Sequence, residues 1–155
     1  MEDTARLKSY LRRALNGEDA PALAYSAIER DDREGLELLI ECGLNVKVHN
    51  FIFTAIDNSA TKCFDLLLDK GANVLMGGRA SNGNRVIYFE PLEYACILNN
   101  VDVAQKLVEH GAPLITQGGG DILRQCRKYI GAENCEKLLK TRSTYLDNHS
   151  ISEKN

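Results

Sequence analysis

From Pro91 to Leu114 the apolar positions recur with a helical period rather than alternating like a strand. Leu92, Ala95 and Cys96 share one face of a first helix, and Val103, Ala104, Leu107 and Val108 share one face of a second. Asn99-Asn100 separates the two runs, and His110-Gly111-Ala112-Pro113 closes the second. The first helix offers small residues where a neighbour must come close; the second offers larger aliphatics where a layer must be filled. Two helices this short cannot bury their apolar faces against each other alone, so the pattern implies stacked neighbours.

The same pattern recurs without gaps. Ala24, Ala27, Ile28, Leu36, Leu39, Ile40 and Gly43 fall where Leu92, Ala95, Cys96, Ala104, Leu107, Val108 and Gly111 fall, and so do Ile52, Ala55, Ile56, Phe64, Leu67, Leu68 and Gly71. A fainter copy runs Leu123, Cys126, Arg127, Cys135, Leu138 and Leu139, with Arg142 in the glycine position. The closing glycines at 43, 71 and 111 are 28 and 40 residues apart. Ahead of these units, Thr4 to Asn16 reads as a helix with Leu7, Leu11 and Leu15 on a narrow stripe and Gly17 placed to stop it. Such a stripe suits an end cap. Asp19 is placed to cap the next helix, with Pro21 in its first turn.

The units resemble the ankyrin-repeat family. PLEYA (Pro91–Ala95) is similar to that family's TPLHxA start, and Leu66–Val74 and Lys106–Leu114 are similar to its LLLxxGADV end. The resemblance runs from about Pro21 to Lys140 and is weakest in the last unit, which lacks both the threonine-proline start and the closing glycine. It implies an all-α ankyrin-repeat solenoid of about four helix-turn-helix units, roughly 21–46, 50–75, 90–115 and 121–142. A capping helix over 4–16 would complete a single domain, 1–142, followed by a loosely held polar tail, 143–155, on which Tyr145 and Leu146 could dock.

Two connections depart from the family. Only eight residues separate Gly43 from Ile52, so the turn there must be stunted, and Phe51 and Phe53 either fill the gap or stand out as anchors. Between Gly71 and Leu92 lie 20 residues, where Asn82-Gly83-Asn84 signals a tight turn and Arg85-Val86-Ile87-Tyr88-Phe89 has strand-like content. That predicts a projecting hairpin, either a binding element or a tolerated surface insertion. Gly118-Gly119-Gly120 predicts a flexible turn into the last helix pair.

Composition narrows the classes. There is no apolar run near the length of a membrane span, the N-terminus has no secretory core, and a net charge of −3 argues against a nucleic-acid partner. Five cysteines in no CxxC spacing predict free thiols and a cytoplasmic setting, either a bacterial cytosol or a host cytosol for an effector or viral protein. Cys63, Cys96, Cys126 and Cys135 fall on core faces; Cys42 is the one placed near the surface.

Catalysis finds little support. The triple glycine lacks the GK[ST] ending of a phosphate-binding loop, and His49, His110 and His149 lie far apart. No metal, cofactor or catalytic residue is expected. Carried over by position, the family's concave surface falls on Glu29 and Arg30, Asp57 and Asn58, Ile97 and Leu98, and Lys128 and Tyr129. Ile97-Leu98 is the informative pair, because two adjacent aliphatics there form an apolar patch unless the insertion folds back over them. Arg79, Asn82, Arg85 and Tyr88 are the candidates within the insertion. The expected function is non-catalytic binding of another protein by a monomer, as a stoichiometric inhibitor or neutraliser of one partner. An adaptor bridging two proteins is the alternative, and a small-molecule or nucleotide sensor a more distant one.

Overall fold

The computed structural model describes residues 2–16 and 19–149 and is mostly helical, with eight α-helices and one two-stranded antiparallel sheet among those residues. Gly17, expected to end the first helix, and Ser150 to Asn155 of the expected tail lie outside the described residues. No helix among the described residues is long and apolar enough to cross a membrane. The chain divides into two compact units, Met1–Met76 and Gly77–Asn155.

The first unit holds α1 (Glu2–Leu15), α2 (Ala20–Glu29), α3 (Arg33–Glu41), α4 (Phe51–Asp57) and α5 (Thr61–Asp69). Its two helix pairs turn in the same way. Asp31 and Ser59 take positive φ (51° and 53°), and the next residue's N–H reaches back to Ala27 (2.8 Å) or Ala55 (2.9 Å). Both pairs end on a left-handed glycine, Gly43 or Gly71, and the following N–H returns to the Leu39 or Leu67 carbonyl at 3.0 Å. Helix α2 packs on α4, and α3 on α5. The small residues Ala24, Ala27 and Ala55 are fully buried where those helices meet. Phe51 and Phe53 are both buried, so they fill the short connection rather than standing out as anchors. The Phe51 ring meets Tyr25 edge-on at 4.9 Å, and the Tyr25 hydroxyl donates to Asn50 Oδ1 at 2.5 Å.

The capping helix departs from expectation. Its best-buried side chain is Tyr10, while Leu7 and Leu11 are only half-buried and the Leu15 side chain lies outside the described ones. The reason is Gly35 in α3. A Cβ there would stand 2.8 Å from the Tyr10 ring and 2.6 Å from Asp32 Oδ2, so the missing side chain makes room for an aromatic. Asp19 precedes α2 but makes no side-chain capping bond. Asp32 does cap α3, accepting from the Gly35 N–H at 3.1 Å, and pairs with Arg6 at 3.0 Å.

The second unit holds β1 (Gly78–Asn82), β2 (Arg85–Phe89), α6 (Pro91–Ile97), α7 (Val101–Glu109) and α8 (Ile122–His149). The insertion is indeed a hairpin, closed by Gly83-Asn84 with Gly83 at φ 68°. Glu90 ties its base to the next helix. Its side chain accepts from the Glu93 N–H in a reciprocal capping box and from Gln117 N–H at 2.9 Å. The α6–α7 pair repeats the turn of the first unit, with Asn99 at φ 56° and Asn100 N–H donating to Ala95 at 2.9 Å. The glycine-rich connection is a closed, hydrogen-bonded turn. Ile115 pairs with Asp121, Thr116 N–H donates to Gly120 at 2.8 Å, and Gly120 N–H donates to Thr116 Oγ1 at 2.9 Å.

Helix α8 breaks at Gly131 (φ 84°, ψ 163°) into two arms that fold back on each other, since Cys135 Sγ reaches the Leu123 carbonyl at 3.9 Å. The second arm continues through His149, so residues 143–149 are helical and not a loose tail. Arg142 holds it there. In place of a closing glycine it is buried and donates to the Gly111 carbonyl at 3.2 Å, at the end of α7, beside Tyr145. Two positions of the fainter copy are more exposed than their counterparts in the other units. Leu139 and Arg127 are exposed, because no further helix pair follows them within the described residues.

Candidate functional surfaces

The anticipated residues divide between the two units. In the first, Glu29, Arg30, Asp57 and Asn58 are all exposed at the ends of α2 and α4. Arg30 is nevertheless committed within the unit. Its guanidinium donates to the Tyr10 hydroxyl and to Ser26 Oγ, both at 2.8 Å, which fastens the capping helix. Asn58 donates to the Thr54 carbonyl at 2.9 Å, closing α4.

In the second unit Leu98 is 49% exposed and Ile97 half-buried, so Leu98 is left open to solvent. Tyr129 is 42% exposed, with the Lys128 ammonium 5.1 Å from its ring. Leu98 and Tyr129 both stand near the C-terminal end of a helical arm whose opposite face is buried.

The hairpin displays one face. Its register pairs Arg79 with Tyr88 and Ser81 with Val86, and all four side chains are exposed, Val86 at 69% and Tyr88 at 54%. The other face carries Gly78, Ala80, Ile87 and Phe89, with Phe89 buried and stacked on Tyr94 at 5.5 Å. Gly77 supports this seating, since a Cβ there would lie 1.8 Å from the Phe89 carbonyl oxygen. Its N–H donates to the Tyr88 hydroxyl at 3.1 Å. The Asn82 side chain lies outside the described ones; Arg85 is exposed next to the turn.

Val86 was not among the anticipated residues. Alternation within Arg85–Phe89 shows that two faces exist, but only the cross-strand register decides which one is free. Ile115 and Leu139, each more than half exposed, were likewise missed as surface residues. With Leu114, Leu123, Arg124, Arg127 and Cys135 they line an open groove of about 510 Å³.

No group of three or more His, Cys, Asp or Glu among the described residues could hold a metal. Burial pushes the Cys63 thiol up to about 12, and the Cys96 thiol is raised by its hydrogen bond to Cys126 and by burial, so neither is a nucleophile near neutral pH. Asp121 caps α8 by accepting from the Arg124 N–H at 3.1 Å, which places a carboxylate where a phosphate would have to sit. No protein-family model matches the chain, and no curated protein matches it.

Proposed function

We propose that this chain is an ankyrin-type protein-binding module that works by occupying one partner in a stoichiometric complex. The observation that carries the reading is where large apolar side chains reach the surface. Of the seven so exposed among the described residues, only Val48 belongs to the first unit, whereas Val86, Tyr88, Leu98, Ile115, Tyr129 and Leu139 belong to the second. A chain that buries its apolar residues well in one half and presents them in the other has a reason to present them. Support for the ankyrin-type reading comes from the repeated turn: positive φ at Asp31, Ser59 and Asn99, with the same back-bond to Ala27, Ala55 and Ala95. Tyr88 and Tyr129 are amphipathic anchors of the kind that dominate binding energy, and Lys128 beside Tyr129 sets charge preference.

The mode of action is steric, with no covalent step. Exposed apolar residues gathered in one unit suit a neutraliser of one partner. The separate groove at Ile115 and Leu139 favours the second reading, an adaptor that holds another protein there.

Capture with tagged protein from its native source, followed by native mass, tests the proposal. A one-to-one complex is expected. The Leu98→Glu, Tyr129→Ala double variant is expected to bind at least about tenfold more weakly, a loss of about 1.4 kcal/mol, at an unchanged melting temperature. Loss of stability together with binding would make these residues core and overturn the assignment.

A further inference from the structure

The hairpin is a strand template with an open edge. A two-residue turn makes Asn82 and Arg85 the closing hydrogen-bonded pair, so Ala80–Ile87 and Gly78–Phe89 exchange the remaining ladder bonds. The N–H and C=O groups of Val86 and Tyr88 therefore point away from β1. No third strand lies beside them among the described residues. These are the same two residues that carry the exposed apolar side chains of the free face, so edge and face are offered together.

Natural sheets usually blunt such an edge with proline, lysine or a bulge. Here there is no proline and no bulge, and the only charges from Gly78 to Phe89 are Arg79 and Arg85, in a chain of net charge −3. Neither arginine has an ion pair among the described residues. Two positive charges without a carboxylate disfavour pairing with a second copy, which would bring four arginines together. They favour a strand that carries Asp or Glu.

Resting on the protein-binding reading above, we propose that the free edge of β2 receives an extended acidic segment of a partner protein as a third strand. The N–H and C=O groups of Val86 and Tyr88 supply the ladder, and their side chains pack alternate apolar residues of the incoming strand. Arg85, on the opposite face of the same strand from Val86 and Tyr88, selects the carboxylates that alternate with those apolar residues, which sets specificity and association rate more than affinity. The seating of Phe89 on Tyr94 and of Gly77 against the Phe89 carbonyl holds the template in place before the partner arrives.

The test uses the full chain labelled with nitrogen-15 and a synthetic eight-residue peptide alternating Glu and Val, beside the same peptide with Lys for Glu. Tighter binding of the acidic peptide by about tenfold or more is expected, with slowed exchange of the Val86 and Tyr88 amides. The Ile87 amide, already in the ladder, should change little. Val86→Pro removes an outward N–H without touching the ladder and should abolish binding while the cross-strand contacts of the hairpin persist. Arg85→Glu should reverse the preference between the two peptides, and tests the idea even if the proline variant fails to fold. Equal binding of both peptides, or binding that survives Val86→Pro, overturns the proposal. So does loss on Ser81→Pro but not on Val86→Pro, which would assign the edge to β1. If neither peptide binds while the native one-to-one complex still forms, strand addition fails and the protein-binding reading stands.

Discussion

Gly77 shows how much a single residue decides in the second unit. Its φ needs no glycine, but the Phe89 carbonyl stands where a Cβ would be, so alanine must push the base of the hairpin away from its seat. Gly77→Ala is expected to cost about 1–3 kcal/mol, read by urea unfolding, and to loosen the Phe89–Tyr94 stack. Unchanged stability would mean that the hairpin base is not packed as described. Glu93 makes a different point. Burial raises its carboxyl above the ordinary value of 4.5, only partly offset by the bond from the Glu90 N–H, and the Glu90 charge raises it further. The folded state then holds a proton that the unfolded state has released, so this contribution to stability is present below 4.5 and lost as pH rises through the folded value. Glu93→Gln keeps an acceptor for the Glu90 N–H and removes the titration. Between about pH 4 and about pH 7 the variant is expected to gain stability relative to the native chain, measured by melting across that range. A difference of the opposite sign would contradict the buried carboxyl.

At the scale of elements, the first unit is held at its end by one carboxylate with two tasks. Asp32 caps α3 and pairs with Arg6 of α1 while itself buried, and Arg30 clamps Tyr10 from the other side. Asp32→Ala removes a cap and a tether together and is expected to cost about 2 kcal/mol, with α1 losing amide protection first. Uniform loss across the unit would show that α1 is not fastened this way. The helix pairs themselves were legible from small residues, turn residues and closing glycines, because each is a local signal within about 30 residues. The docking of α1 was not. Leucines at helical spacing point to a stripe, yet Tyr10 takes the buried place because Gly35, 25 positions away in the chain, leaves a hole for a ring. The second arm of α8 escaped for a similar reason. Its last turns are polar and carry no period, and what holds them is Arg142 and Tyr145 against Gly111, a contact made over 31 residues in the case of Arg142.

At the scale of the molecule, the two units differ in what they show to solvent. Leu98 and Tyr129 were legible as candidates, since each departs from the polar residue that a solvated groove wall takes, while whether the insertion covered Leu98 was not. The free face of the hairpin and the groove beside Leu139 were not, because both depend on register and on where the helix pairs stop. The proposed binding half is therefore the second unit. Amide hydrogen exchange on the chain alone, and on the chain saturated with the proposed protein partner, tests this most directly. Protection on binding is predicted within residues 77–149, strongest at Val86 and Tyr88 and present around Leu98 and Tyr129. Protection confined to residues 2–76, with the second unit unchanged, would contradict it.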